Sequence, residues 1–282
     1  MLVALFRLLA LLPLPILHGA GIVLGWLVYL FAGGYRRRMR QNLAFANYQK
    51  LRNRAIAEAG KSIMELPFVW CASPKRVQNI CRVENWELVQ RYIDEGQGII
   101  FLTPHLGCFE LTAQAIAHQT RLTVMYRPPR KSILKPLVEG ARARQNLELA
   151  PANLSGVRIL AKTLKAGRPI GLLPDQTPHQ GEGVWAKFFG KAAYTMTLPA
   201  KLQKMSGAVL VLTYAERLPW GRGFLVRFAP FQHALEGTPA EQARAINAAM
   251  EELIARCPAQ YVWSYNRYKT PAGVEAAPED LA

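Results

Sequence analysis

The first stretch of the chain stands apart: from Leu8 to Tyr35 no Asp, Glu, Lys or Arg interrupts the apolar residues. Beyond Asn42 the pattern changes to short apolar runs separated by amphipathic segments. Leu43, Ile56, Ile63 and Leu66 recur among charged residues and predict helix over Asn42–Trp70, ending near Pro67 and Pro74. A short helix is expected over Trp86–Ile93. Compact β-branched and aromatic runs at Gly98–Thr103, Leu122–Tyr126, Pro169–Leu173, Ala208–Tyr214 and Phe224–Phe228 predict strands. Helical patterns over Phe109–His118, Ser132–Gln145, Val157–Lys165, Leu198–Met205 and Glu241–Arg256 lie between or after them. Strands alternating with helices argue for an α/β fold: a central, mainly mixed β-sheet flanked by helices.

The apolar amino terminus exceeds the roughly 20 residues that a helix needs to cross a bilayer core. Pro13, Pro15, His18 and several glycines allow a bend or an interfacial course in its first part. Trp26 and Tyr29 are residue types that gather at membrane interfaces. Arg36, Arg37, Arg38 and Arg40 follow at once, against Arg7 alone on the other side, so the charge bias puts the bulk of the chain in the cytoplasm. Each of these arginines adds about 1 kcal/mol of attraction near an anionic surface. A cleaved signal peptide fits poorly, because the stretch is long and ends in a basic cluster without a clear small-x-small cleavage site. The segment reads as a membrane-anchoring helix, spanning or monotopic, with a buried globular helix as the competing structural reading. The expected division is an anchor over 1–35, a catalytic domain over 36–270 and a loose, acidic, Pro/Ala-rich tail over 271–282.

Charge narrows the partners. Among 282 residues there are 35 Lys+Arg against 19 Asp+Glu, a net charge of +16 that favours an anionic partner. Cys71, Cys81, Cys108 and Cys257 form no CxxC pair and read as reduced thiols. The five histidines form no cluster with metal-site spacing, so no metal and no cofactor is expected. No GxSxG elbow, P-loop or GxGxxG occurs.

Thr103-Pro104-His105-Leu106-Gly107-Cys108-Phe109-Glu110 lies just past the Gly98–Thr103 strand and opens a helix. Ligand sites in α/β folds gather at the carboxyl ends of strands. His105 there can take a proton from an alcohol, and Glu110 in the first helical turn can accept the other ring proton and fix the tautomer. The helix amino terminus favours an ionised carboxylate at that point, and Gly107 permits the tight backbone between them. Taken alone, the spacing leaves a structural histidine open.

Further segments add to it. His105-x4-Glu110, Tyr126-Arg127-Pro128, Leu173-Pro174-Asp175-Gln176, Phe188-Phe189-Gly190 and Pro258-Ala259-Gln260-Tyr261-Val262-Trp263 follow in order, and together the chain resembles the late acyltransferases of bacterial lipid A synthesis. Many members read His-x-Gly-Asn-Trp-Glu at the first block; here Cys108 and Phe109 stand in the Asn and Trp places, with the His and Glu intact. The resemblance implies that His105 is a general base on an acceptor hydroxyl, which attacks the thioester of an acyl-acyl carrier protein. The acceptor implied is a lipid A precursor, and the place implied is the cytoplasmic face of the bacterial inner membrane. Arg127 is assigned to acceptor phosphate or to the charged intermediate, since guanidinium bonds phosphate bidentately. Asp175 and Gln176, at another strand end, are expected to position the acceptor, with a turn-forming Asp as the structural alternative. Lys187 with Phe188–Gly190 is a candidate lipid entrance, although such an aromatic pair is commonly core. A covalent acyl-Cys108 is disfavoured, because the family transfers directly.

Competing readings are an acyltransferase for a lyso-phospholipid, ornithine lipid or glycolipid, a nucleic-acid-binding protein and a membrane scaffold. The nucleic-acid reading lacks a recognition module and leaves the apolar stretch unexplained.

Overall fold

The computed structural model describes residues 2–126 and 146–281. The helix expected over Ser132–Gln145, and Arg127 with Pro128, lie outside the described residues. Nine strands are described: β1 (Cys81–Glu84), β2 (Ile99–Leu102), β3 (Leu122–Tyr126), β4 (Leu147–Pro151), β5 (Ile170–Leu172), β6 (Gly183–Phe188), β7 (Lys191–Met196), β8 (Val209–Arg217) and β9 (Phe224–Pro230). Seven form one sheet in the order β1-β9-β8-β2-β5-β3-β4. Among the described residues only the β8–β9 pair in that sheet is antiparallel; the other pairs run parallel. The result is a mixed but mostly parallel sheet.

Helices cover both faces, which explains why β2 reads as an unbroken apolar run rather than an alternation. Ile100 and Leu102 face one core with helices α3 (Gly33–Phe45), α4 (Arg52–Met64), α9 (Leu154–Lys165), α10 (Leu198–Ser206) and α11 (Pro239–Arg256). Ile99 and Phe101 face a second core with α5 (Leu66–Cys71), α6 (Pro74–Gln78), α7 (Trp86–Asp94) and α8 (Phe109–Gln119). The single helix expected over Asn42–Trp70 is instead three, broken at Asn47, whose φ of 60° is left-handed, and again near Glu65. α11 starts at Pro239, two residues before the expected Glu241, because Thr238 caps it with a complete capping box.

Phe188-Phe189-Gly190 is a hairpin turn between β6 and β7, with positive φ at Phe189 and Gly190. Phe188 is 1% exposed and belongs to the first core. Its burial corrects the lipid-entrance expectation for this pair. The tail is partly held: the Trp185 indole donates to the Glu275 carbonyl at 3.1 Å, and the Gln180 amide donates to the Gly273 carbonyl at 2.6 Å.

The apolar amino terminus forms α1 (Leu2–Leu9) and α2 (Leu14–Phe31). α2 is not a free helix. Leu14, Leu17, His18, Gly21, Gly25 and Tyr29 are buried on one stripe, and α4 runs antiparallel against it. Gly21, Gly25 and Gly60 make the crossing: a Cβ on Gly21 would stand 2.8 Å from the Lys61 Cα, and one on Gly60 would overlap the Gly21 carbonyl oxygen.

The crossing yields a prediction with its own control. Gly60→Val forces backbone against backbone and is expected to cost about 1–3 kcal/mol or more. Gly19→Ala, on the same helix pair with nothing within 4 Å of its Cβ, is expected to be neutral or to stabilise by up to about 1 kcal/mol. Thermal unfolding of the two variants in detergent checks both signs.

Candidate active site

The β2–β5 register builds the site. Leu102 pairs with Leu172, so His105 and Asp175, each three residues further on, come out of the sheet edge side by side. Thr103 extends the pairing by donating its N–H to the Leu172 carbonyl at 3.1 Å. Asp175 then holds His105 twice. Its Oδ1 is 2.8 Å from the His105 Nδ1, and its Oδ2 accepts the His105 backbone N–H at 2.9 Å.

Asp175 is 1% exposed. Burial pushes its carboxyl up, but the two hydrogen bonds from His105, with the Arg267 guanidinium nearby, outweigh this and hold it below the usual carboxylate range. An ionised Asp175 only accepts hydrogen bonds, so Nδ1 carries the ring proton and Nε2 presents its lone pair. The Gln176 amide nitrogen lies 3.0 Å from Nε2 and donates to it. The ring is thus fixed between two consecutive residues of the β5 loop.

This differs from the expected partner. Asp175, rather than Glu110, takes the Nδ1 proton, and Asp175 and Gln176 are spent on His105 itself. Glu110 sits in the first turn of α8, where its Oε2 accepts from the Trp70 indole at 3.2 Å. It still belongs to the site: His105, Glu110 and Gln176 line one cavity of about 640 Å3. Phe109, Val124, Met125, Leu147, Leu172 and Leu198 make much of the remaining wall apolar. That volume falls within the roughly 300–1,000 Å3 typical of small-molecule sites. Among the described residues, no group of three His, Cys, Asp or Glu side chains gathers to hold a metal.

Comparisons with known proteins identify the family. The family model for bacterial lipid A biosynthesis acyltransferases matches residues 1–270. The chain belongs to that family. It is 26% identical over 273 residues to the lipid A biosynthesis lauroyltransferase of Escherichia coli (strain K12), covering 93% of this chain and 89% of that one. Identity to the lipid A biosynthesis palmitoleoyltransferase of the same organism is 25% over 274 residues, 93% and 88% of the two chains. A lipid A biosynthesis acyltransferase of Haemophilus influenzae is 28% identical over 283 residues, 95% and 89% of the two chains. The protein is an acyltransferase.

Behind the His105 loop of this acyltransferase lies a charge cluster that the sequence pattern did not disclose. Arg217, at the end of β8, is buried and grips Glu65 with two hydrogen bonds of 2.7 and 2.6 Å. It also donates to Glu58 at 2.6 Å, to Ser62 at 2.9 Å and to the Gly107 carbonyl at 3.3 Å. His18 of α2 meets the same Glu65 at 3.3 Å. Gly107 has a φ of +60°, and a Cβ there would overlap the Ala215 carbonyl, so glycine is required. The loop is further pinned by Cys108 N–H to the Ala215 carbonyl (2.8 Å), Gly107 N–H to the Gln260 carbonyl (3.1 Å) and Val262 N–H to the His105 carbonyl (3.1 Å). Gln260 bridges the Arg217 backbone on both sides. Cys108 is 2% exposed and burial drives its thiol well up, which fits an inert side chain rather than a nucleophile.

Burial raises the Glu65 carboxyl, yet Arg217 and His18 together bring it below its ordinary value. A carboxylate depressed in the folded state contributes stability above its unfolded pKa of about 4.3, and loses it as pH falls through the lower folded value. Stability is therefore expected to drop on acidification below about pH 4 to 5, with a shallower slope in Glu65→Gln. Arg217→Met leaves Glu65 buried beside His18 alone and is expected to cost about 3–5 kcal/mol. Denaturant titrations across pH check both.

Proposed function

We propose that the protein transfers a fatty acyl chain from an acyl-acyl carrier protein to a hydroxyl of a lipid A precursor, with His105 as general base. The observation that carries this is His105 held between Asp175 and Gln176 on the wall of an apolar cavity, in a chain of this family. The acceptor hydroxyl displaces the Gln176 amide from Nε2 and gives its proton to that nitrogen. Its oxygen attacks the thioester carbonyl carbon, the C–S bond breaks, and the carrier thiolate leaves, taking the proton from the imidazolium. Asp175 keeps the tautomer and steadies the imidazolium; Glu110 adds negative potential from the same cavity. Arg127 is assigned to acceptor phosphate. The excess of 16 positive charges suits an acidic carrier protein and an anionic membrane surface. The place of action proposed is the cytoplasmic face of the bacterial inner membrane, with the apolar amino terminus as anchor.

The test is turnover with acyl-acyl carrier protein and a lipid A precursor, on variants shown to be folded. His105→Ala is expected to lose about 10²–10⁴-fold, and Asp175→Asn to lose nearly as much. Because both serve one proton transfer, the double variant should be little worse than the poorer single. Folded His105→Ala turning over like the parent chain would end this reading. If Asp175→Asn is nearly silent while Glu110→Gln behaves like His105→Ala, the orienting role returns to Glu110.

A further inference from the structure

The buried stripe of α2 leaves a second stripe on the outside. Ile16, Val23, Leu27, Leu30 and Phe31 are 55%, 60%, 47%, 54% and 83% exposed, at spacings that keep them along one helix side. Leu5, Leu8 and Leu11 continue the exposed apolar surface toward the amino end. Arg37 and Arg40, both exposed, stand just past its carboxyl end on α3.

One more exposed apolar residue, from the far side of the sequence, lies near the start of α2. Trp220, in the β8–β9 connection, is 87% exposed and has a φ of 59°. A bulky residue in that region is strained by about 1–3 kcal/mol, and exposure to water returns nothing for it. The next residue, Gly221, packs so closely on Pro15 that a Cβ would stand 2.6 Å from the Pro15 nitrogen. Trp220 is therefore held beside the start of α2.

The same packing limits how α2 meets a bilayer. From Leu14 to Tyr29 its inner stripe rests on the domain, and α4 alongside carries Arg52, Arg54, Glu58 and Lys61. A spanning α2 would either drag these charges into hydrocarbon or tear away from α4, breaking the glycine crossing and the His18–Glu65 contact. Lying flat avoids both. Resting on the membrane association proposed above, we infer that α2 lies in the plane of one leaflet. Its outer stripe and Trp220 enter the headgroup–acyl boundary, and Arg37 and Arg40 meet anionic headgroups.

The experiment uses the full chain and vesicles of phosphatidylethanolamine containing phosphatidylglycerol. A fluorescent non-natural residue is placed at Ile16, Val23 or Leu30, one at a time, and quenched by lipids brominated at different depths. An in-plane helix gives the same shallow depth at all three sites. A spanning helix puts Val23 deepest, and that result overturns the placement while leaving membrane binding intact. Probes shielded from quencher at every depth on a vesicle-bound chain mean that a second copy covers the face, which also overturns it. A chain that stays in solution defeats the membrane association itself. Trp220→Ser is expected to lower vesicle partitioning by about tenfold, and Trp220→Phe to keep most of it, with turnover in detergent unchanged. Unaltered partitioning of Trp220→Ser removes Trp220 from the surface.

Discussion

Arg217 reaches from the end of β8 into the buried interior and ties α4, the His105 loop and, through Glu65, α2 to one point. Glu65 and Glu58 bring α4 and its end, Ser62 adds a neutral acceptor, and the Gly107 carbonyl brings the His105 loop. His18 joins α2 to the same carboxylate. Buried ion pairs of this kind are weak evidence for net stability, since desolvation offsets much of the attraction. Their effect is on arrangement. A guanidinium has a fixed fork of donors, and here those donors are met by two carboxylates, a hydroxyl and a backbone carbonyl that must all stand in set positions. The loop carrying His105 is therefore placed from behind by charge and from the sides by β8 and the 260–262 segment.

Given that placement, the chemistry follows from sheet register. Two parallel strands paired Leu102 to Leu172 deliver residues of equal offset to one edge, so a histidine and an aspartate 70 positions apart meet at 2.8 Å. The carboxylate is buried and the histidine faces the cavity. This division suits a base whose outer nitrogen must meet substrate while its inner nitrogen stays fixed. Gln176, the next residue, satisfies Nε2, so the ring is held in one tautomer without being left unpaired, and in the proposed reaction the acceptor hydroxyl takes its place.

Much of this was legible in the sequence, and the misses have physical causes. β2, β3, β5 and β8 were readable because strands buried on both faces leave compact β-branched runs. α8 follows β2 so closely that its start was readable too. The short edge strands β1 (Cys-Arg-Val-Glu) and β4 (Leu-Glu-Leu-Ala-Pro) carry charges outward and left no such run. His105 and Glu110 were found together because they are five residues apart, and local spacing invites a local partner. Pairing with Asp175 depends on a crossover that no window of sequence contains. Arg217 and Glu65 were missed for a related reason: each looks like an ordinary surface charge until its partner is known. A hint existed in Glu65, set between Ile63-Met64 and Leu66-Pro67-Phe68, where a charge has few ways to reach water.

The amino terminus shows how composition and packing answer different questions. The 18 mostly apolar residues of α2 satisfy the length criterion for a span, and composition alone cannot tell an outward stripe from an inward one. The glycines can. Gly21, Gly25 and Gly60 are the positions where side chains would hold the helices apart, and small residues there let α4, with its charges, lie against α2. A helix so joined moves with the domain. Because His18 and the Gly107 carbonyl both meet the Glu65–Arg217 pair, the apolar face and the His105 loop are joined through one hydrogen-bonded cluster. On the function and membrane placement proposed above, the depth and tilt at which that face meets lipid would fix where the cavity stands relative to the headgroups, so membrane docking and access of a lipid hydroxyl to His105 would be a single geometric requirement.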